Sequence, residues 1–268
     1  MDGRFFLSGG TMRYAVIGAG WLGLPLARVL RSRGEAVAVT CTSQEKAIEL
    51  GKAGLQAYPF MVGDEWPLPE CEKVVVAIPP GKVADYPAAI ADIASRARAS
   101  GCRHLLLVSA TSVYAEGQQE GETPAGQGER ARRLLLAEQA ARQCGIDSVT
   151  VLRPSGLYGP GRHPGRFLAG RASSGGGRAV NLVHQEDVVN AILLLLELSS
   201  GIEEYVVSAP GHPTREVFYG QAARALALAP PRFEPPEGEY LPLSGVRLCQ
   251  ELGFEYRWPD PMIWLKQG

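Results

Sequence analysis

Residues 14–27 read YAVIGAGWLGLPLA. Tyr14 to Ile17 is a short β-prone run that enters Gly18-Ala19-Gly20-Trp21-Leu22-Gly23 without a break. Leu22, Leu26, Val29 and Leu30 then recur at helical spacing, and Gly34 closes the helix. A Gly-x-Gly-x-x-Gly pattern carries little alone. Between a strand and an amphipathic helix it reads as the opening of a dinucleotide-binding βαβ unit. Gly18 permits the tight turn, Gly20 lets a pyrophosphate approach the backbone, and Gly23 lets helix and strand pack closely. The helix start adds unpaired N–H groups and positive partial charge, so Trp21 and Leu22 join the three glycines as expected cofactor contacts. A tight β–α turn without a ligand is the plain alternative.

Outward from this turn, strands and helices alternate. Ala36 to Thr40 is a second β-prone run, and a helix follows from about Gln44 to Lys52 with Ser43 as its N-cap. An Asp or Glu at the end of that run would accept the adenosine ribose hydroxyls. The chain has Thr40, Cys41, Thr42 and Ser43 there, and the first carboxylate is Glu45. Hydroxyls on Thr40, Thr42 and Ser43, with Lys46 nearby, tolerate a 2′-phosphate better than an acid does. The expected cofactor is therefore NADP(H), with NAD(H) the alternative. A cap on the next helix explains the same residues, and both readings are compatible.

Val74 to Ile78 is a further strand, closed by Pro79-Pro80-Gly81, whose prolines stiffen a loop bordering the expected crevice. A helix over 84–100 ends at Gly101. The apolar run His104 to Ser109 suits a parallel strand covered on both faces. Glu129 to Gln143 reads as a helix and Ser148 to Leu152 as a strand. The pattern predicts an α/β chain: a Rossmann-like doubly wound parallel sheet with a small C-terminal substrate lobe. The dinucleotide-binding domain is expected over 12–154. Residues 155–268 form the smaller lobe and complete the sheet domain. Gly, Pro, Arg and His dominate 156–178, which reads as site-forming loop. A helix at 186–198, a strand at 204–208 and a helix near 214–228 follow.

Composition narrows the function classes. Lys plus Arg total 27 and Asp plus Glu 28 among 268 residues, so no net field favours a phosphate backbone, and nucleic-acid binding is not expected. No run reaches 18 apolar residues, so no membrane span is expected. Residues 1–11 lack the build of a signal peptide and read as a disordered extension, with Met12 a plausible alternative start. The five cysteines form no CxxC pair, which fits a reducing, cytoplasmic location rather than a disulfide scaffold. The four histidines have no partners at metal-ligand spacing, so no metal is expected.

Several ordered segments together resemble a known family. They are YAVIGAGWLGLPLA at 14–27, LLLVSATSVYA at 105–115, LRPSGLYGPGRHPGRFLAG at 152–170, NLVHQEDVVNAI at 181–192 and LGFEYRWPDP at 252–261. From Arg13 to Pro261 the chain resembles the extended short-chain dehydrogenase/reductases of the nucleotide-sugar epimerase/dehydratase kind, and within them an atypical bacterial subgroup. The resemblance implies an NAD(P) cofactor, with contacts continuing through Ala77, Ile78, Pro79, Ser109, Arg153 and Pro154. It also implies a small hydroxyl- or carbonyl-bearing, sugar-like substrate and a homodimer through the helices at 84–100 and 129–143.

The family's catalytic residues do not all carry over. A Ser or Thr usually stands four residues before the tyrosine of the SVYG-like motif; here that tyrosine is Tyr114 and the position holds Ala110, with Thr111 and Ser112 adjacent. The Tyr-x-x-x-Lys helix precedes a common Glu by eight residues. Counted back from Glu138, Arg130 takes the tyrosine's place and Leu134 the lysine's. Arginine remains charged and cannot serve as a general base, and leucine can neither hold a ribose nor tune a neighbour. Thr111, Ser112, Tyr114 and Arg130 are the catalytic candidates, Arg130 as an anion ligand. Tyr158, Arg162, His163, Arg166 and His184 are the substrate-side candidates, the arginines suited to an anionic group. Two functions remain: an NAD(P)-dependent oxidoreductase or epimerase with an unusual active site, and an inactive NAD(P)-binding sensor.

Overall fold

The computed structural model describes residues 12–198, 201–234 and 241–267. The expected N-terminal extension lies outside the described residues. The first half runs β1 (Met12–Ile17), α1 (Gly23–Ser32), β2 (Val37–Cys41), α2 (Gln44–Lys52), β3 (Gln56–Pro59), β4 (Cys71–Val76), α3 (Tyr86–Ala99), β5 (His104–Val108), α4 (Glu129–Arg142) and β6 (Ser148–Pro154). The second half adds β7 (Gly156–Tyr158), β8 (Ala172–Ser173), β9 (Leu182–His184), α5 (Gln185–Leu195), β10 (Gly201–Val207), α6 (Arg215–Ala225), β11 (Arg232–Phe233), α7 (Val246–Leu252) and α8 (Pro261–Leu265).

Seven parallel strands form the main sheet in the order β10-β6-β5-β4-β1-β2-β3. Chain direction reverses between β1 and β4, the switch point at which a doubly wound sheet opens a ligand crevice. Alternation along each strand feeds two apolar layers. Tyr14 and Val16 of β1 pack with α1 and α5, while Ala15 and Ile17 pack with α3 and α4. β10 pairs with β6 along its whole length, so the C-terminal half completes the sheet.

The short strands β7, β8, β9 and β11 and the C-terminal helices α7 and α8 escaped the sequence, as did β3, a four-residue edge strand, Gln-Ala-Tyr-Pro, whose Ala57 and Tyr58 are only partly buried and give little apolar signal. The predicted strand at 74–78 begins earlier, at Cys71, and ends at Val76. The smaller lobe is built from the pairs β7–β9 and β8–β11 with α6 and α8. Tyr158, Val180, Leu182, Phe218, Ala222 and Leu265 form its own core.

Candidate dinucleotide site and adjoining crevice

At the glycine turn, backbone geometry separates the three glycines. Gly18 has φ of 102°, open to glycine at little cost. A Cβ on Gly23 would stand 2.1 Å from the Gly18 carbonyl oxygen, so this position closes α1 onto the turn. A Cβ on Gly20 would meet nothing within 4 Å, leaving an open approach to the backbone. The Leu24 amide donates to the Gly20 carbonyl at 3.1 Å. Pro25, in the first turn of α1, contributes no N–H.

Thr40 is only 2 % exposed. Its hydroxyl accepts from the Gly18 amide at 2.9 Å, and its carbonyl accepts from Ala19 at 2.7 Å. The expectation that this hydroxyl faces a 2′-phosphate is corrected: it braces the glycine turn from beneath. Thr42 is exposed, and Ser43 caps α2 by accepting from the Lys46 amide. Lys46 pairs with Glu49 at 2.8 Å. The loop after β4 abuts the same turn, for a Cβ on Gly18 would lie 3.0 Å from Ile78 and 3.4 Å from the Ala77 carbonyl. Pro79 begins the bend away, and Arg133 ties that bend to α4 through the carbonyls of Val83 at 2.6 Å and Ala84 at 3.0 Å.

Beyond the end of β5 lies a buried ionic network. Glu138 is fully buried and accepts from Ser109 Oγ at 2.5 Å, Arg153 Nε at 3.1 Å and Arg153 Nη2 at 2.7 Å. Arg153 also reaches Glu204 at 2.9 Å and donates from Nη1 to the Tyr114 hydroxyl at 2.7 Å. Arg142 joins Glu204 at 2.5 Å. Burial, the largest single influence, opposes the charge on Arg153, but Glu138, Tyr114 and Glu204 together outweigh it and hold the guanidinium's pKa above its ordinary value. Burial raises the Tyr114 phenol, and Arg153 beside it pulls the other way; the net direction is upward. The expected cofactor contacts from the Ser109 and Arg153 side chains are therefore corrected. Both point into this network, and Pro154 is buried in the sheet beside Val207.

Arg130 lies exposed on the first turn of α4 and donates to Ser112 Oγ at 3.3 Å. Leu134 is 1 % exposed and belongs to the apolar layer shared with α3. Tyr114 lines a cavity of ≈320 Å³ with Thr111, Glu116, Arg178, Asn181 and Arg215. A second hollow of ≈470 Å³ shares Tyr114 and Glu116 and adds Ser112 and Gln127. The first cavity lies between the end of β5 and the smaller lobe, where Arg178 bridges to Glu116 at 2.9 Å. Asn181, Arg178, Arg215 and Glu116 went unnoticed in the sequence, because none stands in a spacing pattern.

The expected substrate residues divide. Tyr158 is fully buried, and its ring meets His184, Phe218 and Trp264 edge-on. His184 accepts from the Glu186 amide through Nδ1 and caps α5, and burial lowers its pKa to about 4. His163 likewise accepts from the Gly165 amide and packs on Trp264, and burial lowers its pKa. These three rings are parts of the lobe's framework, while Arg166 is exposed. Arg162 stands apart from them, its guanidinium carbon 5.5 Å from the centre of the Trp21 ring. Among the described residues no cluster of His, Cys, Asp and Glu could hold a metal ion, and no helix is long and apolar enough to cross a membrane.

No family model matches the chain. Protein YeeZ of Escherichia coli (strain K12) is 38% identical over 268 residues, covering 94% of this chain and 98% of YeeZ. A conserved protein of Silicibacter pomeroyi DSS has a TM-score of 0.78 at 22% identity, over 96% of this chain and 97% of that one. MoeE5, solved in complex with UDP-glucose and NAD, has a TM-score of 0.73 at 20% identity over 91% and 93% of the two chains. A UDP-glucose 4-epimerase of Thermotoga maritima has a TM-score of 0.71 at 18% identity over 91% and 94%. Alike to YeeZ over nearly the whole length of both chains, the chain belongs to the same family as YeeZ, and it shares its fold with MoeE5 and the UDP-glucose 4-epimerase.

Proposed function

We propose that this protein is an NAD(P)-dependent oxidoreductase or epimerase acting on a hydroxyl- or carbonyl-bearing, sugar-like substrate. The observation that carries the reading is an open glycine turn after β1, at the switch point of the sheet, with a cavity-lining phenol, Tyr114, after β5 of the same sheet. Gly20 leaves its backbone uncovered, as a pyrophosphate requires, and Thr40 holds the turn in shape from below. MoeE5, a structural relative, is solved with UDP-glucose and NAD, which supports a dinucleotide cofactor and a nucleotide-sugar-like substrate class. NADP(H) is favoured over NAD(H), because the exposed Thr42 hydroxyl replaces the carboxylate that would repel a 2′-phosphate. The bound nicotinamide would supply or accept hydride at the substrate carbon.

The chain itself must manage the proton. Tyr114 is the proposed donor: it lines the ≈320 Å³ cavity and stays neutral because burial holds its pKa up. Arg153 fixes its oxygen by donating to it at 2.7 Å, so the phenol proton is free to point elsewhere. Thr111 borders the same cavity and Ser112 the hollow beside it, and Arg130, bonded to Ser112, would meet an anionic group. A cytoplasmic homodimer through α3 and α4 completes the proposal.

A second reading, a dinucleotide-binding sensor without turnover, draws on Leu134 being a core residue. Fluorescence titration with NADPH and a turnover assay over a panel of nucleotide sugars separate the two. The enzyme reading requires NADPH binding in wild type, its loss in Gly20→Asp, and turnover that falls about 100-fold or more in Tyr114→Phe. Binding without turnover on any substrate supports the sensor. No binding at all refutes both.

A further inference from the structure

We propose that Arg162, carried on a turn of the C-terminal segment, is a ligand for the cofactor's pyrophosphate; this rests on the dinucleotide reading above. The glycine turn lacks a cation of its own. Residues 18–27 contain no Lys or Arg, and Pro25 removes one amide from the start of α1. The partial charge of a helix start is worth about half an elementary charge, less than a pyrophosphate's two negative charges. A guanidinium brought from elsewhere would make up the difference.

The Gly159-Pro160-Gly161-Arg162 turn delivers one. It is pinned at both ends, with the Arg162 amide donating to the Gly159 carbonyl at 2.9 Å. Gly159 and Gly161 have φ of 149° and 72°, which this tight course requires. The turn is fastened to the glycine loop itself. Trp21, inside the Gly-x-Gly-x-x-Gly sequence, donates its indole N–H to the Pro160 carbonyl at 2.8 Å. Gln185 donates to the Trp21 carbonyl at 2.5 Å, clasping the same residue from α5. Arg162 lies over the Trp21 ring at 5.5 Å and over the Phe167 ring at 5.9 Å. Stacking fixes a planar guanidinium while leaving its edge N–H groups free to donate. Arg162 is exposed and forms no ion pair with a carboxylate among the described residues. Arg166, four residues on, is exposed but has no contact to the glycine turn among the described residues.

Calorimetric titration of NADPH and of ADP-ribose into purified wild type, Arg162→Gln, Arg162→Met and Arg162→Lys tests this. Both ligands carry the pyrophosphate, and ADP-ribose lacks the nicotinamide. Loss of a charge-assisted phosphate contact predicts Kd raised about tenfold or more for both ligands in Arg162→Gln and Arg162→Met. Arg162→Lys should fall between, keeping charge but losing the stacked fork, and the salt dependence of binding should become shallower in the two neutral variants. The melting temperature should stay unchanged in all three. Arg162→Met or Arg162→Gln within twofold of wild type overturns the proposal, as does weakened binding that tracks a lowered melting temperature. Wild type that binds NADPH while the Arg162 variants bind equally well refutes this inference alone; wild type that binds neither ligand refutes the dinucleotide reading with it.

Discussion

Replacing Glu138 by Gln should remove the anchor of the buried network. The side chains of Glu138 and Arg153 are 0 % and 2 % exposed, so water cannot take over when a charge is lost. Glu138 receives two bonds from Arg153, one from Ser109 and two longer ones, at 3.4 Å, from Arg142. The amide would bring an NH₂ group against N–H donors, leaving at least one of them unpaired. Breaking one side of a buried ion pair costs about 3–5 kcal/mol. Glu204 still holds Arg153 at 2.9 Å and Tyr114 still accepts from it, which places the expected loss near the lower end, about 3 kcal/mol. At this chain length that corresponds to a fall in Tm of roughly 6–12 °C. Scanning calorimetry with urea unfolding measures it. The exposed pair Arg132–Glu129 supplies the control, since Arg132→Ala should leave Tm unchanged. A loss below about 1 kcal/mol in Glu138→Gln would mean the pair behaves like a solvated surface bridge, and the reasoning would fail.

Gly23→Ala should lower Tm and abolish NADPH binding, because its Cβ has only 2.1 Å to the Gly18 oxygen; Gly51→Ala, in exposed helix with open space around it, should instead stabilise by about 0.5–1 kcal/mol, and equal effects in urea unfolding would refute the contrast. Stability should also depend on pH through two groups of opposite sign. His184 has its folded pKa depressed from 6.5 to about 4, so its contribution is complete above pH 6.5 and is lost as pH falls toward 4. Asp187 has its folded pKa raised from 3.8 to about 6, chiefly by burial, so its contribution is complete below about pH 4 and is lost as pH rises through 6. His184→Asn should flatten the acid-side loss and Asp187→Asn should steepen it, read as Tm between pH 4 and 7; identical profiles would contradict both assignments.

The sheet was legible because β1, β2 and β5 are mostly apolar and its helices are spaced by glycines. Gly34, Gly101 and Gly145 all adopt positive φ at or just beyond helix ends, where the sequence reading placed stops. The glycine turn was legible for the same local reason. What sequence could not give was direction. Thr40, Ser109 and Arg153 lie at or just beyond strand ends, as cofactor ligands would, yet their side chains turn inward, Thr40 to the Gly18 amide and the other two to a buried carboxylate. A signal for the network existed. Glu138 shares the buried face of α4 with Ala131, Leu134, Ala137 and Ala141, and a carboxylate on an apolar stripe demands a buried cation. Arg153 inside an apolar strand is its counterpart. Arg162 eluded its role because its partner, Trp21, is distant in sequence, and only the folded chain brings the two together.

These placements bear on how a chain without the Tyr-x-x-x-Lys pair could still move a proton. In that pair both groups ride on one helix. Here the same helix turns Leu134 into the core and Arg130 outward, so α4 cannot carry the acid. In the proposed reaction the phenol would come instead from Tyr114, after β5, and the cation beside it is Arg153 of β6. The substitution changes the chemistry in one respect. A lysine can share its own proton with the site, whereas an arginine remains charged and can only hold and polarise. Arg153 is held by two carboxylates, Glu138 and Glu204, so its pull on Tyr114 is moderated and burial keeps the phenol protonated. A protonated, fixed phenol suits donation to a carbonyl oxygen better than removal of a hydroxyl proton. In the reaction proposed above, such a phenol would match reduction of a carbonyl by a reduced dinucleotide better than oxidation of an alcohol.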